Sequence, residues 1–303
     1  MKRVLVCGSN GLLGQRLAAL FDGDDDYEVL HTSHHRSFAN SDVFIDYTQL
    51  DIAHRGDVRS LVGSFRPDVI LNAAAMTNVD ACEKEREAAW KMNVTGVENL
   101  VDVSRKIGAK LIHVSTDYVF DGKSGNYGEG DRVNPVNYYG KTKLAGENVI
   151  LSSGVDHAIL RTILVYGSGV NVKNNFALWV VNSLTEQKPI RCAWDQISNP
   201  THVYDLALAM KQCMDAGSSG VYHVAGAEEV SRYDFAMRAA DVFGLDATLI
   251  ARVRSEELGQ FALRPLHTTF RTLKAEQMFH YRPMNVTQGL NLLREELTGI
   301  HLN

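Results

Sequence analysis

Proline is scarce in this 303-residue chain, at six, and cysteine scarcer still, at four. With so little proline there is no stiff Pro-rich linker, and no low-complexity stretch divides the chain. Cys7, Cys82, Cys192 and Cys213 are scattered, with no CxxC pair. That spacing excludes a disulfide frame or a zinc site and reads as reduced thiols. No apolar run approaches the about 18 residues needed to cross a bilayer. An excess of positive charge is missing too. A net charge of −5 argues against nucleic acid or an anionic membrane as the main partner. The opening MKRVLVCGSNG passes directly from strand to loop, so no signal peptide and a cytoplasmic location are expected. The acidic run DGDDDYE (22–28) carries no other ligand type among its carboxylates and reads as a solvated loop.

What is present is an alternation. Hydrophobic residues at 45% and charged residues at 22% suit one large α/β domain or two packed together. RVLVC (3–7) precedes a helix near 12–21, and YEVLHT (27–32) precedes an irregular stretch. A helical segment at 57–65 leads into DVILNAA (68–74), and one long helical pattern over 84–107 leads into AKLIHVST (109–116). The apolar runs VLV, VIL and LIHV lack strict alternation, as strands buried on both faces do. After HAILRTILVYG (157–167) the texture changes to helices near 174–186, 202–215, 231–243 and 286–297, with a strand at GVYHVAG (220–226). The pattern predicts an α/β fold: a doubly wound parallel sheet of the Rossmann type with a smaller C-terminal α/β domain. Residues 1–165 are expected to bind a dinucleotide. Residues 166–303 are expected mainly to bind substrate, with some segments returning to the first domain.

VCGSNGLLGQRL sets Gly8, Gly11 and Gly14 three apart between the first strand and a helix. Glycine there permits a tight turn and lets the backbone approach a pyrophosphate, which the helix N-terminus then binds. Asn10, Leu12 and Leu13 lie within the same cradle. The end of the second strand separates the two nicotinamide cofactors: a carboxylate binds a ribose 2′-hydroxyl, a basic group accommodates a 2′-phosphate. Ser33, His34, His35 and Arg36 stand there with no carboxylate, which favours NADPH over NADH.

NYYGKTKLAG (137–146) holds two tyrosines and two lysines. Residues four apart share a helix face and residues two apart do not. Tyr139 therefore pairs with Lys143, and Lys141 points elsewhere. A phenol with a pKa near about 10 exchanges protons poorly at neutral pH, and an ammonium one turn away is expected to lower that value. Ser115 and Thr116, ending a buried strand, supply a hydroxyl to orient a carbonyl.

Together GxxGxxG, NAAA (72–75), Asn93, STDYVFDG (115–122), YYGKTK and LRTILVYG (160–167) resemble the extended short-chain dehydrogenase/reductases. NNF (174–176), DQISNPTHVYDLA (195–207) and LRPLHTTF (263–270) are similar to the dTDP-4-dehydrorhamnose reductase branch, so the likeness spans nearly the whole chain. It implies Thr116, Tyr139 and Lys143 as catalytic triad, and Asn93 as an asparagine that helps hold the lysine through water. Asp51 and Ile52 match an adenine-contacting pair, and Ala73, Ala74 and Ala75 would line the cofactor. Thr77, Val79, Asp117, Tyr118, Asn175 and Arg264 fall where that branch contacts its sugar nucleotide. The similar 4,6-dehydratases place Asp–Glu after the threonine. Asp117–Tyr118 lacks that acid, and reduction of a C4 ketone is the activity left.

Two departures stand out. Leu164 replaces a tryptophan common in relatives. Gln15–Arg16 occupies a stretch where some relatives hold a bridging metal through glutamate, so no metal is expected. The implied partner is a nucleotide-sugar substrate, with a homodimer as a candidate assembly. Two alternatives resemble the chain as well. One is a non-catalytic NADP-binding regulatory subunit like that of methionine adenosyltransferase, to which THVYDLA and SRYDFAMRAADVFG are similar; the other is a sugar-nucleotide 4-epimerase.

Overall fold

The computed structural model describes residues 1–39 and 45–299. Its centre is a seven-stranded sheet. The strands are β1 (Lys2–Cys7), β2 (Tyr27–Ser33), β3 (Asp46–Gln49), β4 (Val69–Asn72), β5 (Lys110–Thr116), β6 (His157–Thr162) and β7 (Gly220–Val224). Their order is β7-β6-β5-β4-β1-β2-β3, with every pairing parallel. The chain thus winds outward from β1 to β3 and then reverses across β4. The crevice at the β1/β4 switch is where such sheets bind ligands.

Successive strand residues face opposite layers, which explains the unbroken apolar runs. On one face Val4, Val6, Leu71 and Leu160 pack against α1 (Leu12–Phe21) and against Leu206 and Met210 of Val203–Asp215. On the other, Leu5, Ile70, Leu111 and Ile159 pack against Val58 and Val62 of α2 (Arg55–Phe65) and Leu100 of α3 (Gly96–Ile107). The doubly wound sheet expected from the alternation is the one observed. Two C-terminal pieces, the helix Val203–Asp215 and strand β7, belong to this layer structure.

A third core joins helices Phe176–Thr185, Arg232–Phe243 and Val286–Thr298 to the parallel strand pair Ile190–Ala193 and Ile250–Val253. Phe120, Tyr127, Ile163 and Phe270 form a further small apolar cluster.

Two expectations about elements need correction. The single helix over 84–107 is broken into Arg86–Trp90, a π-helical turn at Lys91–Thr95, and α3. The cause lies at Asn93, whose amide takes the Met76 N–H at 2.8 Å and returns a hydrogen bond to Met76 O at 3.0 Å. Pinning a side chain both ways to a neighbouring loop widens the turn. The irregular stretch after β2 includes the edge strand β3. A short helix, Leu273–Phe279, was not anticipated; it buries Ala275 and Phe279 on the sheet.

Candidate active site

The glycine cradle lies directly after β1. A Cβ on Gly14 would stand 2.2 Å from Gly8 O and 2.4 Å from the Ser9 Cα, so α1 rides on the loop as only glycine permits. No side chain caps α1 at Gly11, which leaves its first N–H groups for an anion. Asn10 is spent otherwise: Nδ2 donates to Ser37 O at 2.9 Å and Oδ1 accepts Ala39 N–H at 2.8 Å. It straps the loop after β2 to the cradle. Leu13 is buried beneath the loop, with Leu12 packed beside it.

At the end of β2, Ser33 is buried and shares a hydrogen bond with Tyr47 at 2.8 Å. The rings of His34 and His35 lie 3.9 Å apart, tilted by 38°. Burial, then the neighbouring charge of His35, lowers the pKa of His34, with Asp51 opposing and Lys173 adding to the fall. His35, Asp51 and Lys173 therefore all lie within the field of His34. Arg36 is exposed and forms no ion pair among the described residues. Asp51 accepts Ala53 N–H at 2.9 Å, and the carbonyl of buried Ile52 takes the Asn99 amide at 2.9 Å. Ala73, Ala74 and Ala75 line the β4 side of the crevice, half-buried. This set of free N–H groups, small residues and cations suits an extended dinucleotide.

Tyr139 and Lys143 lie in α4 (Tyr138–Leu151), capped by Asn137, whose side chain accepts Gly140 N–H at 2.8 Å. The cap is itself anchored, since Asn137 Nδ2 donates to Leu263 O at 2.8 Å. A Cβ on Gly140 would meet Tyr118 O at 2.1 Å. Glycine there lets the helix start press on the turn that follows β5, which brings Tyr139 to Thr116. The rings of Tyr118 and Tyr139 meet edge to face at 5.7 Å. Lys141 is exposed, whereas Lys143 is 2% exposed. Its Nζ donates to Val114 O at 2.8 Å and lies 3.2 Å from His113 Nε2.

The expected electrostatics need correction. Burial pushes the Tyr139 phenol above its ordinary value; a hydrogen bond with Thr116 opposes this, and Asp117 adds to the rise. Lysine does not lower it here, because the Lys143 amine is turned to Val114 and His113. Lys143 itself is lowered to about 8 by burial, with Glu147 and Cys82 opposing. The Asn93 side chain, besides Met76, donates to Thr142 Oγ1 at 3.0 Å and braces the middle of α4.

Thr116 Oγ1 donates to Asp117 at 2.9 Å, and Asp117 accepts Thr268 Oγ1 at 2.6 Å. Burial raises the Asp117 carboxyl to about 6 against those two hydrogen bonds. Ser115 Oγ is buried without a partner among the described residues. Arg264 bonds Ala262 O at 3.0 Å and pairs with Asp80 at 3.0 Å. Asn175 caps the helix Phe176–Thr185, accepting Leu178 N–H at 3.2 Å and donating to Gly167 O at 2.8 Å. Thr77 is exposed and Val79 begins the short helix Val79–Lys84 nearby. Leu164 has φ of +38°, unusual for a branched side chain, at the bend after β6. Gln15 ties to Val170 through both its amide groups, and Arg16 pairs with Glu296.

Arg232 was overlooked by sequence reasoning. It opens the helix Arg232–Phe243, and its guanidinium lies 4.9 Å from the Phe176 ring centroid. Burial lowers its pKa, Tyr118 and Asp117 raise it, and Arg264 lowers it again, so all three lie within its field. Among the described residues it forms no side-chain hydrogen bond or ion pair. A signal existed: a cation in a first helical turn opposes the helix dipole and asks for another reason.

The larger surface hollow, about 570 Å³, lies at the far end of the sheet around Arg66, Lys106 and Asp156, away from these groups. A second, about 420 Å³, opens beside Arg264, Leu266 and His267.

Sheet order, cradle and Tyr–Lys helix are those of an extended short-chain dehydrogenase/reductase. The family model described as the RmlD substrate binding domain matches residues 1–298, and the chain belongs to that family. It is 33% identical to a dTDP-4-dehydrorhamnose reductase of Aggregatibacter actinomycetemcomitans, over 97% of this chain and 99% of that one. It is also 31% identical to methionine adenosyltransferase 2 subunit beta of Xenopus laevis, over 91% of this chain and 82% of that one. Among solved structures, dTDP-4-dehydrorhamnose reductase of Bacillus anthracis in complex with NADP superimposes with a TM-score of 0.87. Identity there is 30%, covering 98% of this chain and 100% of that one.

Proposed function

We propose that this chain is an NAD(P)H-dependent oxidoreductase. It reduces the C4 ketone of a nucleotide-activated 6-deoxy-4-ketohexose, taking dTDP-4-dehydro-L-rhamnose to dTDP-L-rhamnose. The observation that carries this is the buried amine of Lys143 one helical turn from Tyr139, with Thr116 at the adjoining strand end. The reading adds that residues 1–165 hold the dinucleotide and that most of 166–303 holds the sugar nucleotide.

The nicotinamide supplies the hydride. Gly8, Gly11 and Gly14 with the N–H groups opening α1 would hold the pyrophosphate, and Asp51 and Ile52 the adenine. His34, Arg36 and Lys173 favour a 2′-phosphate, hence NADPH. Tyr139 Oη donates its proton to the alkoxide forming at C4. Its raised pKa keeps it protonated at neutral pH, ready to act as an acid. Thr116 orients the carbonyl oxygen once its hydroxyl turns from Asp117. Arg264 and Arg232 offer cations to the anionic nucleotide, and Asp117 and Tyr118 face the sugar.

The likeness to methionine adenosyltransferase 2 subunit beta supports a second reading, a cofactor-binding regulatory subunit. The test is a panel of dTDP-, GDP- and UDP-linked 4-ketohexoses mixed with NADPH and followed at the nicotinamide absorbance band. Stoichiometric NADPH loss with a dTDP sugar is expected. No loss with any sugar, together with copurification of a synthetase, would support the regulatory reading. Interconversion without net NADPH loss would support a 4-epimerase.

A further inference from the structure

Behind Lys143 lies a buried chain of side chains whose donors and acceptors can be counted. Asn72, at the end of β4, accepts the Ala74 N–H through Oδ1 at 3.1 Å. That backbone donor fixes the amide, because flipping it would set NH₂ against N–H. Asn72 Nδ2 then lies 3.0 Å from His113 Nδ1. An amide nitrogen only donates, so Nδ1 is the acceptor. An imidazolium carries N–H on both nitrogens and could not accept there, so the ring is neutral, in line with burial, which holds the His113 pKa well below its usual range. A neutral imidazole accepting at Nδ1 carries its proton on Nε2. Nε2 is 3.2 Å from Lys143 Nζ.

An ammonium has only donors to offer that N–H, whereas a neutral amine has a lone pair that accepts it. We propose that His113 is a positioning residue acting through Lys143: locked by Asn72 with its proton on Nε2, it favours the neutral amine over the ammonium. Lys143 thereby becomes a group that exchanges one proton near neutral pH, losing it from Nζ and regaining it there, while His113 keeps its own throughout. The charge state rests on this geometry alone. Any use of that exchange in turnover rests on the reductase reading.

The other titratable groups near Lys143 do not cancel the effect. Tyr139 and Glu147 share its helix, and Cys82 faces it from Val79–Lys84. Tyr139 stays a neutral phenol, Glu147 is neutralised by Arg161 at 2.7 Å, and burial raises the Cys82 thiol to about 11. Glu147 and Cys82 oppose the fall without reversing it, since Lys143 still stands at about 8.

The test uses the whole chain without substrate. Long-range ¹⁵N spectra of wild-type protein, with the His113 signals assigned by their loss in His113→Gln, should show a neutral ring protonated on Nε2. Nδ1 protonation would overturn the proposal, and this arm needs no folded Asn72 variant. In ¹³Cε-lysine titrations the wild-type Lys143 midpoint is expected near about 8. In Asn72→Ala the ring is free to move its proton to Nδ1 and accept from the ammonium, which should raise the midpoint by about one pH unit. A tautomer switch that leaves the midpoint in place would also overturn the proposal. An inactive enzyme that keeps the Nε2–H ring and the low midpoint would sink the reductase reading and leave this one standing.

Discussion

The two walls of the proposed site are made of different material. The wall proposed for the cofactor is backbone and small side chains: a glycine loop, three alanines and the uncapped start of α1, all within one stretch of chain or at one strand end. The opposite wall is charge. Arg232, Arg264, Asp80 and Asp117 come from four separated segments and lie within one another's field. A backbone wall recognises a shape shared by many dinucleotides, and its strength lies in close packing. A wall of side chains recognises one substrate, and its strength lies in how few of its charges are already paired.

The largest expected effect falls between the walls. Tyr139→Phe should lower turnover by about 10²–10⁴-fold, the usual contribution of a positioned acid, with NADPH affinity unchanged in a fluorescence titration. Arg232→Met should act on the charged wall alone. A charge-assisted hydrogen bond of about 1.5–3 kcal/mol implies a rise in sugar-nucleotide KM on the order of 10- to 100-fold with kcat nearly kept. An unchanged KM would place Arg232 outside the site.

Asp117→Asn separates stability from function on that same wall. The native carboxyl, raised to about 6 from 3.8, keeps a proton that the unfolded chain loses at lower pH. Wild-type stability therefore falls as pH rises through that window. The variant has no such loss, so its unfolding free energy relative to wild type should rise between about pH 4 and 7, by on the order of 1–3 kcal/mol. A constant difference across pH would show that the carboxyl titrates normally. The smallest effect belongs to the exposed rim of the cofactor wall: Arg36→Ser should weaken NADPH about two- to fivefold and leave NADH unchanged.

The same contrast explains what the sequence made legible. The glycine triplet, the Tyr139–Lys143 spacing and the strand-end Thr116 are contiguous patterns with a local cause, and helical or strand periodicity carries them. The break at Asn93 could not be read, because its cause is Met76, seventeen residues away. The role of Asn137 was hidden likewise, since it both caps α4 and holds Leu263. Arg232 and Thr268 join Asp117 only through packing of the C-terminal body on the strand ends. The assumed lowering of the tyrosine pKa failed for a related reason: spacing places two side chains on one face but does not say which hydrogen bonds each has already made.

The account turns on hydride reaching a sugar carbon beside that phenol. NADPH carrying deuterium at C4 of the nicotinamide, on each face in turn, should be incubated with dTDP-4-dehydro-6-deoxyhexose and the product examined by mass spectrometry and NMR. One deuterium at C4 of the sugar, from one face only, is expected for each NADPH consumed. Product with no deuterium from either face, or deuterium at any other carbon, would contradict it.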